Sequence, residues 1–380
     1  MGNDILRKVS EVFFWLGLFC ELCVSPTGYI WGGYHENAFI MAGLCFFSLS
    51  LLCSLELWKD VPRCALLFGF ALICYYFQNS ALILRLALAL MAGRRIDRRK
   101  AAAFMFFATA GIMLAAFIVS LMGYEANPLY MEQSFRHVTE RRYCFGFIHT
   151  NGFSLFWIRL AALGAYLFVE SLPPLVLTAA GILGVVPLIM SRSKAGIAIY
   201  LFLLAATFAW KFIHRELFLK TAYLILSFLG LFLPAFIYTL GLFPYPEENV
   251  GDAKNLWDVM NVVTTGRLSH ARRALVNNPV PILGLREVAD GTEVSYVNSL
   301  YKEGVIFIVL FFLLAFFLIK RLYREKDGAG MILLTVTLLY LAAESFLPYF
   351  NKNPMWLLMI AGLPGFMMPG TRKDNNHDQP

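Results

Sequence analysis

The sequence predicts an all-α, polytopic integral membrane protein with about 12 transmembrane helices and one long extracytoplasmic loop. Three observations carry that prediction. Hydrophobic residues make up 59% of the 380-residue chain and charged residues only 15%, and mean hydropathy is +0.65. Soluble domains average nearer half apolar and a quarter charged, so this chain has too little charge to cover two or three soluble domains. The apolar residues also fall in runs of membrane-spanning length, roughly 17–25 residues.

In order, the runs place helices near 11–27, 38–57, 62–77, 79–93, 101–123 and 151–169, then 171–190, 195–211, 218–241, 299–319, 328–347 and 354–369. The third and fourth are short and separated only by Gln78 and Asn79, so one long bent helix is an alternative there. The first run contains Glu21 and has no small-x-small cleavage site before Pro26, which reads as a retained helix rather than a signal peptide. Residues 1–370 form a single membrane domain, with 371–380 (TRKDNNHDQP) a short polar cytoplasmic tail.

Lysine and arginine set the orientation. The short segments 93–100 (GRRIDRRK) and 320–327 (KRLYREKD) are strongly basic, which puts both termini inside and loops 124–150 and 242–295 outside. The net charge of +7 is met by anionic lipid, so no nucleic-acid partner is implied. Most of the seven cysteines lie in spans, where a thiol acts as a small hydrophobe. Cys20 and Cys23 share a helix face without the further Cys or His partners a metal would need. Cys144 alone sits in an outer loop.

Three clusters on the predicted outer face carry chemistry. Residues 140–153 (ERRYCFGFIHTNGF) combine Arg141 and Arg142 with an aromatic-glycine run, and His149 and Asn151 stand where the next helix is capped. On spacing alone, interface anchoring accounts for this stretch better than ligand binding does. The turn Ser191-Arg192-Ser193-Lys194 offers hydroxyls and cations at a helix N-terminus, either a phosphate seat or a solvated turn. The long loop holds Arg267, Arg272, Arg273 and Arg286 with no acid from Arg267 to Arg286. Helical spacing from Leu268 to Val276, with Gly266 before and Asn277-Asn278-Pro279 after, predicts a short helix beginning near Arg267. Guanidinium is a rigid bidentate partner for phosphate, so this loop is a candidate anion clamp. Arg85, Arg159, Glu170 and Glu344 fall within or at the edges of apolar runs, where they either pair between helices or line a path for a ligand.

These residues together resemble the O-antigen polymerase and ligase family of bacterial envelope glycosyltransferases. The resemblance rests on Arg142, Gly146, Phe147, His149 and Asn151; on the Ser-Arg-Ser turn at 191–193; on Gly266-Arg267; and on Glu293, Ser295, Tyr296, Glu303 and Gly304. It covers residues from about 60 to 350, and order, shared face and span layout agree with it. It implies a metal-independent, cofactor-free enzyme in the bacterial cytoplasmic (inner) membrane with an outward-facing active site. The substrate would be oligosaccharide linked through pyrophosphate to a polyprenol such as undecaprenol, polymerised into capsule, exopolysaccharide or O-antigen.

In that frame Arg267 and Arg142 are the main pyrophosphate ligands and Arg192, Arg272 and Arg273 support them, with Asn151 and Tyr296 also placed in the binding set. The general base is Glu293 or His149, with His270 a third option. Family members often carry His or Asp just ahead of the tyrosine, whereas this chain has Glu293 three residues before Tyr296, which favours a polymerase over a ligase. Membrane lipid, a chain-length regulator and a flippase of the same pathway are the implied partners. The competing class is a flippase or exporter, although no relation between the two halves of the chain is visible.

Overall fold

The computed structural model describes residues 2–30, 35–54, 61–78, 80–123, 127–135, 138–240, 258–259, 261, 266–288 and 292–360. The chain is mostly helical: α1 (Gly2–Ile30), α2 (Glu36–Ser54), α3 (Val61–Gln78), α4 (Leu82–Ala92), α5 (Arg98–Leu121), α6 (Thr150–Phe168), α7 (Pro174–Met190), α8 (Lys194–Phe212) and α9 (Arg215–Thr239). Then come α10 (Arg267–Asn277), α11 (Ser295–Arg324), α12 (Gly328–Leu341) and α13 (Met355–Ile360). Six of these, α2, α5, α6, α8, α9 and α11, are long and apolar enough to cross a membrane; α3, α7 and α12 carry shorter apolar runs. Large apolar side chains on the bundle's outside, such as Leu66, Leu183 and Leu224, are exposed, as a lipid-facing surface requires.

α12 lies in the middle of the bundle, against α6, α8, α9 and α11. Its sequence, GAGMILLTVTLLYL, is apolar all round, and a helix with no polar face is stable only when covered on every side. Thr335 and Thr337 turn their hydroxyls back onto the Met331 and Leu333 carbonyls, leaving no buried donor unmet. α4 is similarly enclosed, and it packs against α3 as a separate helix, so the single bent helix is not what forms.

Four features depart from the sequence expectation. Loop 124–150 contains an antiparallel hairpin, β1 (Tyr130–Phe135) and β2 (Val138–Tyr143), with Tyr130 opposite Tyr143 and Glu132 opposite Arg141. The apolar run 328–347 is helical only to Leu341; residues 342–354 run as irregular, largely buried backbone, because Pro348, Asn351, Asn353 and Pro354 interrupt a helix. Such backbone is tolerated inside a membrane bundle only where protein satisfies it. Here Asn353 Nδ2 and Trp356 Nε1 both donate to the Leu347 carbonyl, at 2.9 and 2.8 Å.

Third, α11 is broken at Gly304, whose φ is 89°. The extended segment 281–285 crosses the break: Val305 N–H donates to Pro281 O at 3.0 Å and Leu285 N–H to Tyr301 O at 2.8 Å. A Cβ on Gly304 would lie 2.5 Å from Gly284 N and Ile282 O, so only glycine permits the crossing. Fourth, Cys144 is buried rather than presented by its loop, and all seven cysteines are free thiols. The dipeptide Asp290-Gly291, which reads as a turn before the next apolar run, the end of the last apolar run and the tail 371–380 lie outside the described residues.

Candidate anion-binding site

The first arginine group is built on the hairpin. Alternation along β2 puts Glu140 and Arg142 on one face, where Arg142 Nη2 reaches Glu140 Oε2 at 3.3 Å. The other oxygen, Oε1, accepts from Arg192 Nη1 at 2.8 Å. One carboxylate therefore joins two of the predicted pyrophosphate ligands, which stand 50 residues apart in sequence. The Arg192 hydrogen bond, aided by Arg142, holds the Glu140 carboxyl below its usual range against partial desolvation. Arg141 faces away, 3.7 Å from Glu132 and 4.2 Å over the Tyr130 ring.

Local chemistry explains why Arg192 projects. Its φ is +53°, a left-handed conformation that ends α7 and turns the chain into α8. Ser191 is fully buried and its hydroxyl donates to Leu188 O, while Ser193 Oγ caps α8 by accepting from Gly196 N–H at 3.2 Å. The two serines are thus used in closing the turn, and the cations Arg192 and Lys194 are left exposed.

In the Gly-Phe-x-His-x-Asn stretch, Gly146 has φ +87° and approaches so closely that a Cβ would lie 2.1 Å from the Ala116 carbonyl oxygen. Phe147 is fully buried against Phe153 and Phe156. These two residues pack the hairpin onto the bundle rather than contact a ligand. His149 is exposed at the N-cap position of α6, without a side-chain cap bond. Asn151 is the second residue of the helix, not its cap.

The second group centres on Arg267, the first residue of α10, preceded by Gly266 at φ 84°. The helix and its limits agree with the spacing of the sequence. Arg267 Nη2 lies 2.9 Å from Glu293 Oε2 and 2.9 Å from Glu344 Oε1. The two acids differ in surroundings: the Glu293 side chain is 59% exposed and that of Glu344 only 15%. Burial pushes the Glu344 carboxyl up to about 7, with Arg267 opposing the rise and Glu293 adding to it. Ser295 fixes Glu344 in place, since its hydroxyl donates to the Glu344 carbonyl and accepts from Phe346 N–H. Asn298 Nδ2 donates to Ser345 Oγ beside it.

Arg272 and Arg273 are half-buried on α10, five and six residues after Arg267, which at 3.6 residues per turn puts them on other faces of the helix. His270 is exposed on the same helix. Tyr296 is a correction: it is fully buried, its hydroxyl donates to Leu338 O at 2.9 Å, and its own carbonyl accepts from Tyr238. Its role is to pack α11 on α12, because a phenol engaged inside the bundle is not presented to a ligand.

Of the charges in apolar runs, Arg85 and Glu21 form a buried two-bond pair, Nε to Oε1 at 2.7 Å and Nη2 to Oε2 at 2.6 Å. Glu170 pairs with Arg215 at 2.9 Å and accepts from Trp210 Nε1 at 2.7 Å. The sequence did not single out Glu140, although it directly precedes Arg141, and it marked Glu344 only as a charge in an apolar run. Comparison with known proteins adds no identification, since no family model, curated protein or solved structure matches the chain.

Proposed function

We propose that this chain is a metal-independent membrane glycosyltransferase that polymerises polyprenyl-pyrophosphate-linked oligosaccharide at the outer face of a bacterial cytoplasmic membrane, with about twelve spans and both arginine loops outward. The observation that carries the proposal is Arg267 at a helix N-terminus, flanked by one exposed and one buried carboxylate. That arrangement suits the two demands of glycosyl transfer from a pyrophosphate. Negative charge grows on the leaving group as the anomeric C–O bond breaks, and a preorganised guanidinium at the positive end of a helix favours it. The acceptor hydroxyl forms the new C–O bond and gives its proton to a nearby base, while the pyrophosphate departs with the bonding electron pair.

Among the bases, a carboxylate poised near neutral pH is the most effective, which favours Glu344 beside Glu293 over the exposed His149 and His270. Arg142 and Arg192, linked through Glu140, supply a second guanidinium pair for the anionic substrate. In each group a carboxylate already occupies the arginine. It holds the guanidinium in one rotamer before substrate arrives, and the pyrophosphate displaces it.

The test uses purified protein in lipid nanodiscs with a polyprenyl-pyrophosphate-linked repeat unit and no other substrate. A ladder of longer lipid-linked glycans that is lost in Arg267→Ala supports the proposal. Full-length ladders from Arg267→Ala remove the clamp. Absence of any ladder from folded wild-type protein redirects attention to ligation onto another acceptor, or to flipping.

A further inference from the structure

Glu303, on α11 just before the break at Gly304, is 4% exposed, and its Oε2 meets no hydrogen-bond donor. Among the described residues no cation pairs with it, and the neighbouring Lys302 is exposed. By contrast Glu21, buried to the same degree on α1, is met by Arg85 with two bonds. An ionised carboxylate left alone inside a membrane bundle carries an uncompensated desolvation cost. If Glu303 served packing alone, a glutamine would fill the same space without that cost.

A second orphaned acceptor stands beside it. Gln78, the last residue of α3, is 5% exposed and donates through Nε2 to Leu283 O at 2.9 Å and to Glu303 O at 3.4 Å. Two carbonyls at the nitrogen fix the amide's orientation, so Oε1 points the other way, and that oxygen has no donor either. The Glu303 carboxyl lies within charge range of Cys74, one turn before Gln78 on the same face of α3. The break brings backbone to the same place. Val305 and Ile306 N–H turn to Pro281 O and Ile282 O in the crossing segment, instead of to the preceding turn of α11. Lys302 O comes so close to Gly284 that a Cβ there would lie 2.1 Å from it and 3.0 Å from Gln78 Nε2. Leu283 and Gly284 are partly exposed, which puts the cluster one layer below the surface.

We propose that Glu303 Oε2, Gln78 Oε1 and backbone carbonyls at the α11 break form a binding site for a hard monovalent cation, Na+ or K+. Both side-chain atoms are oxygen acceptors without donors, so the group that completes the cluster brings positive charge rather than a lone pair. One carboxylate balances one unit of charge, which favours a monovalent ion; calcium draws about six to eight oxygens. Interrupted membrane helices are where backbone carbonyls become free to coordinate such an ion. The site shares no residue with the arginine groups and does not rest on the polymerase proposal.

The test is thermal unfolding of the full-length protein in nanodiscs, titrated with NaCl or KCl against choline chloride at constant ionic strength. Wild type is expected to gain stability, saturably, with at least one of the two salts. Glu303→Gln removes the charge and keeps the shape. It should unfold no lower than wild type in choline, and should bind the ion about tenfold more weakly or worse. Gln78→Met removes the second oxygen and provides the second variant should Glu303→Gln fail to fold, with the same weakening expected. Glu216→Gln, which changes an exposed glutamate at the start of α9, should keep the wild-type response. A wild-type protein indifferent to both salts overturns the proposal, because Glu303 then holds only a proton. An unchanged response in Glu303→Gln or in Gln78→Met overturns it too. So does an equal loss in Glu216→Gln, which would trace the effect to surface charge.

Discussion

Replacing Glu344 with Gln isolates charge at the centre of the Arg267 group. The amide keeps the size and one hydrogen-bonding oxygen of the carboxyl but cannot ionise. Two unit charges about 4 Å apart at an effective dielectric near 20 attract by about 4 kcal/mol. Burial more than offsets that, since it pushes the Glu344 carboxyl up to about 7 despite Arg267, so the group is only partly ionised near neutral pH. The net hold on Arg267 near neutral pH is therefore on the order of 1 kcal/mol, or roughly a five- to tenfold effect on binding. Glu344→Gln should lower KM for the anionic donor by about that factor. If Glu344 is the base, kcat should fall by roughly 10²- to 10⁴-fold.

The pH dependence has a definite sign. A base must be ionised, so wild-type kcat rises as pH passes upward through about 7, and the variant lacks that limb. Stability runs the other way. The folded value lies above the unfolded one, so stability from the protonated form is complete below the ordinary carboxylate range and is lost as pH rises through about 7. The assay is initial-rate kinetics from pH 6 to 8.5, with unfolding followed in parallel. A variant with wild-type kcat and an unchanged limb would exclude Glu344 as the base, and a raised KM would show that Glu344 does not compete with substrate for Arg267.

Other substitutions probe the remaining links. Arg267→Ala should insert and fold yet form no polymer, and Arg267→Lys should recover little, because an ammonium lacks the planar fork; substantial rescue by lysine would reduce the clamp to a point charge. Glu140→Gln should release Arg142 and Arg192 and tighten donor binding at low salt, an effect that 0.5 M salt should erase by screening. Glu21→Ala strands the buried Arg85 charge and should cost about 3–5 kcal/mol, read as a lowered unfolding midpoint, whereas replacing both partners with apolar residues should be far milder. Gly304→Ala, at φ 89° with backbone 2.5 Å from the new Cβ, should abolish the monodisperse peak in detergent chromatography, and a normal elution profile would show that the crossing at 281–285 can yield.

Much of this organisation is legible in the chain because it depends on local composition. Each apolar run contains a helix among the described residues, though that at 328–347 stops at Leu341, and the short loop helix is bounded where Gly266 and Asn277-Asn278-Pro279 place it. The hairpin at 130–143 was not legible, because its strands carry arginine and glutamate in place of an alternating apolar face. The end of α12 was also missed: hydropathy counts side chains, and the run to 347 stays apolar while prolines and asparagines beyond it redirect the backbone. Tyr296 entered the candidate set by its position beside Glu293 and Ser295, and only its place between α11 and α12 shows that the hydroxyl is already engaged.

The sequence by itself determined a membrane-embedded, helical chain and the arginines that crowd its long loop. Solvation sets both: a bilayer requires long apolar runs with internally bonded backbone, and charges left outside those runs collect in loops. Only the tertiary structure decided which carboxylate meets which cation. Arg267 finds Glu344 at a separation of 77 residues, Arg85 finds Glu21 at 64, and Arg159 is left without an acid among the described residues. Coulomb energy depends on distance in space and on local dielectric. Both are fixed by how the helices pack, and neither is written in the spacing along the chain.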